Sequence, residues 1–212
     1  MLRILSFAFI AVAFFVACDS KKKAPGKLEN FVIVPGNRVG PITMDSCNRD
    51  IVEQMYGSLA KADSVTVPGN QKDKGLVLFP DDPARRLEIW WYLPHSAIFP
   101  ASFRVADEGS FWRTNTGIRI GSTLKQVEQA NGKPFMLVTV PGRPGILQVA
   151  NWNGGNTSVV LGLEFSFEGG GEREGEFPSD DPLVQHINPA VSAITTFFRV
   201  PPTAPIEQME TK

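Results

Sequence analysis

Two segments of this chain share the pattern Val-Glu-Gln-x-x-Gly, and that internal echo constrains the fold more than any other feature. Val52-Glu53-Gln54-Met55-Tyr56-Gly57 stands in the first half and Val127-Glu128-Gln129-Ala130-Asn131-Gly132 in the second. Each closes a short stretch with helical spacing, roughly Ser46–Tyr56 and Thr123–Asn131. Glycine suits the position just past a helix, where left-handed backbone angles penalise any Cβ. Ile51, Val52, Met55 and Leu59 make one apolar stripe, and Leu124 and Val127 a shorter one.

The halves also correspond downstream. Leu87–Tyr92 lines up with Leu147–Trp152, both alternating and rich in strand formers. Third strands follow at Ser102–Ala106 and Ser158–Phe167. In the latter, Val159, Leu161, Leu163, Phe165 and Phe167 share one side, with Ser158, Val160, Gly162, Glu164 and Ser166 on the other. Such alternation marks a sheet with one buried face. Turn chemistry stands at Pro35-Gly36-Asn37, Pro68-Gly69-Asn70, Asp81-Asp82-Pro83 and Pro141-Gly142-Arg143. The expected fold class is α+β, with two tandem helix-plus-meander repeats forming one curved antiparallel sheet and helices on one face. Its parts are a first repeat over 31–106, a connector over 107–116, a second repeat over 117–168 and an acidic, glycine-rich, mobile loop over 169–182. A C-terminal strand over 183–202 and a tail over 203–212 complete it.

A helix ending in glycine, followed by a meander and repeated in tandem, resembles the β-lactamase-inhibitor-protein-like fold across Gly36–Phe167. Single copies of a similar unit occur in small lipoproteins of outer-membrane assembly machinery. The stretch Ser58–Arg86 is longer than that resemblance implies. The resemblance speaks to fold, and the inhibitor's partner does not transfer with it.

The N-terminus reads as an export signal over 1–17. Arg3 precedes an apolar run from Ile4 to Val16, too short for the ~20 residues a spanning helix needs. Phe15-Val16-Ala17-Cys18 resembles the lipobox of bacterial lipoproteins, with Phe15 where such boxes usually carry Leu. The resemblance implies cleavage before Cys18 and lipid on that cysteine. A solvated tether over 18–30 follows, whose last 12 residues reach at most ~40 Å. The expected location is the cell envelope, lipid-anchored to a membrane. Asp19 resembles an inner-membrane retention signal of some lineages, whereas the charged run Asp19–Lys23 accompanies outer-membrane or surface display in others; the latter is favoured.

With Leu87, Ile89, Leu147 and Val149 facing the helices, the alternate set is Glu88, Trp90 and Tyr92 with Gln148 and Trp152. Arg104 and Glu164 join it by the same alternation. Rigid aromatics among a few charges have the composition of a recognition surface. Trp112 and Arg113, on the connector, are a second binding candidate. The competing reading packs these aromatics under long loops or under Phe197 and Phe198, and it pairs Glu88 with Arg104 as a cross-strand ion pair worth ~0.2–1 kcal/mol.

Signals for catalysis are few. His95 and His186 stand in no metal-ligand spacing and beside no Gly-x-Ser-x-Gly elbow. Asn131-Gly132-Lys133-Pro134 lacks the Ser or Thr of a phosphate loop. Asp81-Asp82 and Asp180-Asp181 precede proline and read as turn initiators. With Cys18 acylated, Cys47 is the remaining thiol, expected as a small buried hydrophobe. An enzyme, a hydrolase using Cys47 or His95, would need one of them in a cleft beside a partner. A formal charge of −1 with no basic patch gives no nucleic-acid signal. No catalytic residue, metal or cofactor is expected. The leading expectation is a protein-binding or scaffolding module whose partner is another envelope protein, met through the aromatic sheet face. The alternative is a receptor for a small hydrophobic or glycan ligand, which calls for a cavity of several hundred Å³.

Overall fold

A computed structural model of the chain describes residues 30–91, 99–167 and 174–199. The signal segment, Cys18, the tether, Tyr92, His95 and the tail lie outside the described residues.

The described residues open with short strands β1 (Val32–Val34), β2 (Arg38–Val39) and β3 (Ile42–Thr43). Helix α1 (Arg49–Tyr56) begins where the Asn48 side chain accepts the Asp50 N–H. It ends at Gly57, whose φ of 53° only glycine adopts at low cost and whose N–H returns to Glu53 O. Four strands follow: β4 (Ala60–Val67), β5 (Gln71–Leu78), β6 (Leu87–Trp90) and β7 (Ser102–Val105). After β8 (Arg113–Thr114), helix α2 (Leu124–Asn131) starts on a reciprocal cap between Thr123 and Gln126 and stops at Gly132, φ 80°. Then come β9 (Met136–Thr139), β10 (Ile146–Asn151), β11 (Leu161–Ser166), β12 (Glu176–Pro178), helix α3 (Pro182–Ile187) and β13 (Ala190–Thr196). Both glycine-terminated helices thus stand where the sequence places them.

Among the described residues the fold is α+β and sheet-rich, with two sheets where one was expected. The main sheet has nine strands in the order β12-β9-β10-β11-β13-β7-β6-β5-β4, and every pairing in it is antiparallel. The second runs β3-β2-β1-β8, with β1 and β8 parallel. The connector therefore supplies a strand. The glycine-rich loop supplies β12, whose Phe177 is buried, and the C-terminal segment supplies α3 ahead of its strand.

Register fixes the faces of the main sheet. Ile89 pairs with Phe103, Leu147 with Phe165, and Leu163 with Ile194, so these apolar residues share one side. They join Val52 and Tyr56 of α1 and Leu124 and Val127 of α2 in one buried cluster. At ~25 cal/mol per Å² of buried apolar surface, this layer is the main stabilising contribution. Glu88, Arg104, Thr195 and Gly162 form a cross-strand row on the opposite side.

The long Ser58–Arg86 stretch is the β4–β5 hairpin, and its far half bends over that polar side. The Thr66 N–H donates to Glu88 Oε2 at 2.8 Å, and Trp90 Nε1 donates to Asp73 Oδ2 at 2.9 Å. Gly75 permits the bend, because a Cβ there would collide with the Val65 side chain and the Ile89 carbonyl.

Candidate functional site

The aromatic sheet face expected from alternation does not form as a unit. Trp90 lies on the polar side but is half-buried beneath the hairpin. Trp152 is 3 % exposed, donates from Nε1 to Leu161 O at 2.9 Å, and packs against Phe135. The pairing of β10 with β9 shifts register between Val149 and Asn151, so period-two counting fails before it reaches Trp152. Trp112 is fully buried, with Nε1 donating to Arg85 O at 2.9 Å, and it plugs the junction beside Phe31. Arg113 is exposed in β8.

Glu88 and Arg104 are register partners but not an ion pair. Glu88 meets Arg86 at 3.4 Å, while Arg104 turns to Glu164 at 3.2 Å. Glu164 is the hub of the polar side. Arg143 grips it with Nη1 and Nη2, each at 3.0 Å, and Gln148 donates at 3.1 Å. Burial pushes this carboxyl up, but the Arg143 and Arg104 bonds and charges outweigh it and hold the pKa at about 2.

Cys47 is fully buried, and its thiol donates to Met44 O at 3.0 Å. Burial pushes its pKa up to about 11, which favours the protonated thiol. His186 is exposed near the end of α3. Among the described residues no three His, Cys, Asp or Glu side chains gather as a metal site, and no helix is long and apolar enough to cross a membrane.

A broad concavity lies elsewhere, where α3 stands over strands β9 and β10. Asp181 caps α3 by accepting from Leu183 and Val184, and Pro182 occupies its first turn. The helix is clasped to α2: Gln185 Nε2 donates to Ser179 O at 2.8 Å, Ser179 Oγ donates to Glu128, and the Lys125 N–H donates to Asn188 Oδ1 at 3.1 Å. Opposite, the turn after β9 is folded by Arg143 N–H to Val140 O and Ile146 N–H to Arg143 O. The Arg143–Glu164 grip fixes that turn to the sheet. Between helix and turn runs an apolar groove of about 820 Å³, lined by Val140, Ile146, Leu147, Phe167, Phe177 and Val184 among others. Leu183 and Ile187, one helical turn apart, stand on its rim at 55 % and 38 % exposure.

Sequence reasoning missed this groove. The Asp181-Pro182 pair that caps α3 was visible, but it carries the same signature as a turn. No protein-family model, no curated protein and no solved structure matches the chain.

Proposed function

We propose that this protein is a lipid-anchored cell-envelope binding module that takes up the apolar side chains of a partner polypeptide in the groove beside α3. The observation that carries this reading is the pair Leu183 and Ile187, apolar and exposed at the rim of an apolar groove. A small monomer rarely leaves such a patch bare without a use for it. Anchorage rests on the lipobox-like Phe15–Cys18, and the tether lets the domain stand off its membrane. The groove replaces the aromatic face as the contact surface, because Trp152 and Trp112 are spent on packing.

An internal duplication underlies this architecture, and the sheet order supports one of a particular kind. Leaving aside the edge strand β12, the main sheet runs toward a central β7–β13 pair, through β4-β5-β6-β7 on one side and β9-β10-β11-β13 on the other. That correspondence equates β6 with β11, not with β10 as the aromatic alignment has it. The sequence agrees: Val65-Thr66-Val67-Pro68-Gly69 and Val138-Thr139-Val140-Pro141-Gly142 are identical, one in each half. The helix α3 and strand β12 are then an insertion before the last strand of the second copy, and the groove belongs to that insertion. The likeness to the β-lactamase-inhibitor-protein-like fold is part of the same proposal.

A small hydrophobic ligand is the second reading, favoured by the groove's volume, which falls within the ~300–1,000 Å³ of ligand pockets. A photo-crosslinking amino acid at Leu183, with a control at exposed Lys61, separates the two in the cells that make the protein. A protein adduct formed from position 183 and absent from position 61 supports the first reading. An adduct to lipid or another small molecule alone supports the second. The absence of any adduct specific to position 183 contradicts both.

A further inference from the structure

Gly162 lies inside β11, and nothing in its surroundings requires glycine. Its φ is not among the positive ones. A Cβ there would meet its nearest atoms, Thr195 O and Cβ, at 3.7 and 3.8 Å, which is ordinary contact. The register shift of β11 against β13 falls between Glu164 and Phe165, so no bulge explains it. Gly75 shows the contrast, since any side chain there would collide with Val65 and with the Ile89 carbonyl. Glycine weakens a strand interior, and where no bend or bulge accounts for it, it often marks the approach of a ligand or another backbone. No backbone approaches Gly162 beyond its own paired strand.

Above Gly162 is a cleft of about 200 Å³, between the polar side of the sheet and the tip of the β4–β5 hairpin. Its walls present hydrogen-bonding groups with capacity left over. Of the five N–H donors of a guanidinium, Arg104 sends one to Thr195 Oγ1 and one to Glu164, and the rest meet no partner among the described residues. Gln148 spends its amide N–H on Glu164 and keeps its carbonyl oxygen as an acceptor. Ser102 is 2 % exposed and brings a hydroxyl to the cleft. It lines the cleft, as does Phe197, an apolar ring. Glu164 is saturated, so it holds Arg104 and Gln148 in place and has little capacity of its own for a ligand.

We propose that this cleft binds one sugar ring. Fixed donors and acceptors over a floor without a side chain suit a compact ligand bearing several hydroxyls, and the Phe197 ring offers its C–H face an apolar contact. Arg104, Gln148 and Ser102 read the hydroxyls, and Gly162 leaves the room. The site lies on the polar side of the sheet and does not depend on the apolar groove.

The test is an amide ¹H–¹⁵N titration of the full chain with glucose, N-acetylglucosamine and glucuronate in turn. At least one of them is expected to shift the Gly162, Thr195 and Asn70 amides saturably. Gly162→Val, whose isopropyl group fills the floor, is expected to weaken that binding at least tenfold. Gly162→Ala is expected to raise Tm, because the added methyl meets only ordinary contacts. Should Gly162→Val not fold, Ser102→Ala removes only the hydroxyl and is expected to weaken binding several-fold. The proposal is overturned if none of the three sugars shifts those amides saturably at tens of millimolar, or if the valine variant binds like the natural chain. A fall in Tm for Gly162→Ala would overturn it too, by showing that the sheet itself demands the glycine.

Discussion

Replacing Glu164 with Gln removes the hub of the polar side and leaves its shape. The side chain is 12 % exposed and accepts from Arg143 twice, from Arg104 and from Gln148. Its pKa falls from 4.5 to about 2 on folding. At 1.36 kcal/mol per unit, that shift corresponds to ~3 kcal/mol of stability at neutral pH. Breaking a buried ion pair costs ~3–5 kcal/mol, and partial exposure here pulls the figure toward the lower end. Both routes give about 3 kcal/mol for Glu164→Gln at pH 7. The sign follows from the depressed pKa: the stabilisation is present above pH 4.5 and is lost as pH falls toward 2. Urea unfolding of both forms at a series of pH values isolates this group, since other carboxylates titrate alike in each. The gap between natural chain and variant is expected to be about 3 kcal/mol at pH 7 and to close below pH 2. A gap under ~1 kcal/mol at pH 7, or one unchanged at low pH, would refute the assignment of Glu164 as the ionised hub.

Further outcomes follow from the packing. Gly75→Ala is expected to cost ~1–3 kcal/mol in denaturant unfolding, since the methyl overfills the bend between Val65 and Ile89 O. Trp152→Phe keeps most of the ring volume but strips the donor from Leu161 O, for an expected loss of ~1–3 kcal/mol. Cys18→Ser is expected to move the protein from the membrane fraction to the soluble fraction of fractionated cells, and retention in the membrane would contradict lipid anchorage there.

What the sequence discloses and what it hides have physical reasons. Helices α1 and α2 are legible because each carries an apolar stripe and ends in a glycine, Gly57 or Gly132, that takes a left-side φ value. The side-chain faces are legible wherever pairing is regular, so Ile89 and Leu147 point to the core while Glu88, Arg104 and Glu164 point away. Trp152 is misplaced because the register shift after Val149 breaks the count and leaves no mark in composition. The β4–β5 hairpin is missed because Lys61-Ala62-Asp63-Ser64 and Gln71-Lys72-Asp73-Lys74 are exposed and show no alternation. Helix α3 is missed for its length, as six residues cannot display a helical period. The groove depends on α3, so it was hidden with it.

The most direct measurement is the affinity of the partner captured through position 183 for the natural chain and for a Leu183→Asp/Ile187→Asp variant. Both side chains are exposed, so the substitutions leave the core intact, and circular dichroism checks that the fold persists. Burying a Leu or Ile side chain contributes ~1.5–3 kcal/mol, so losing both is expected to weaken binding at least tenfold. Equal affinity for the two proteins, with the fold preserved, would contradict the account that the groove beside α3 is where this protein holds its partner.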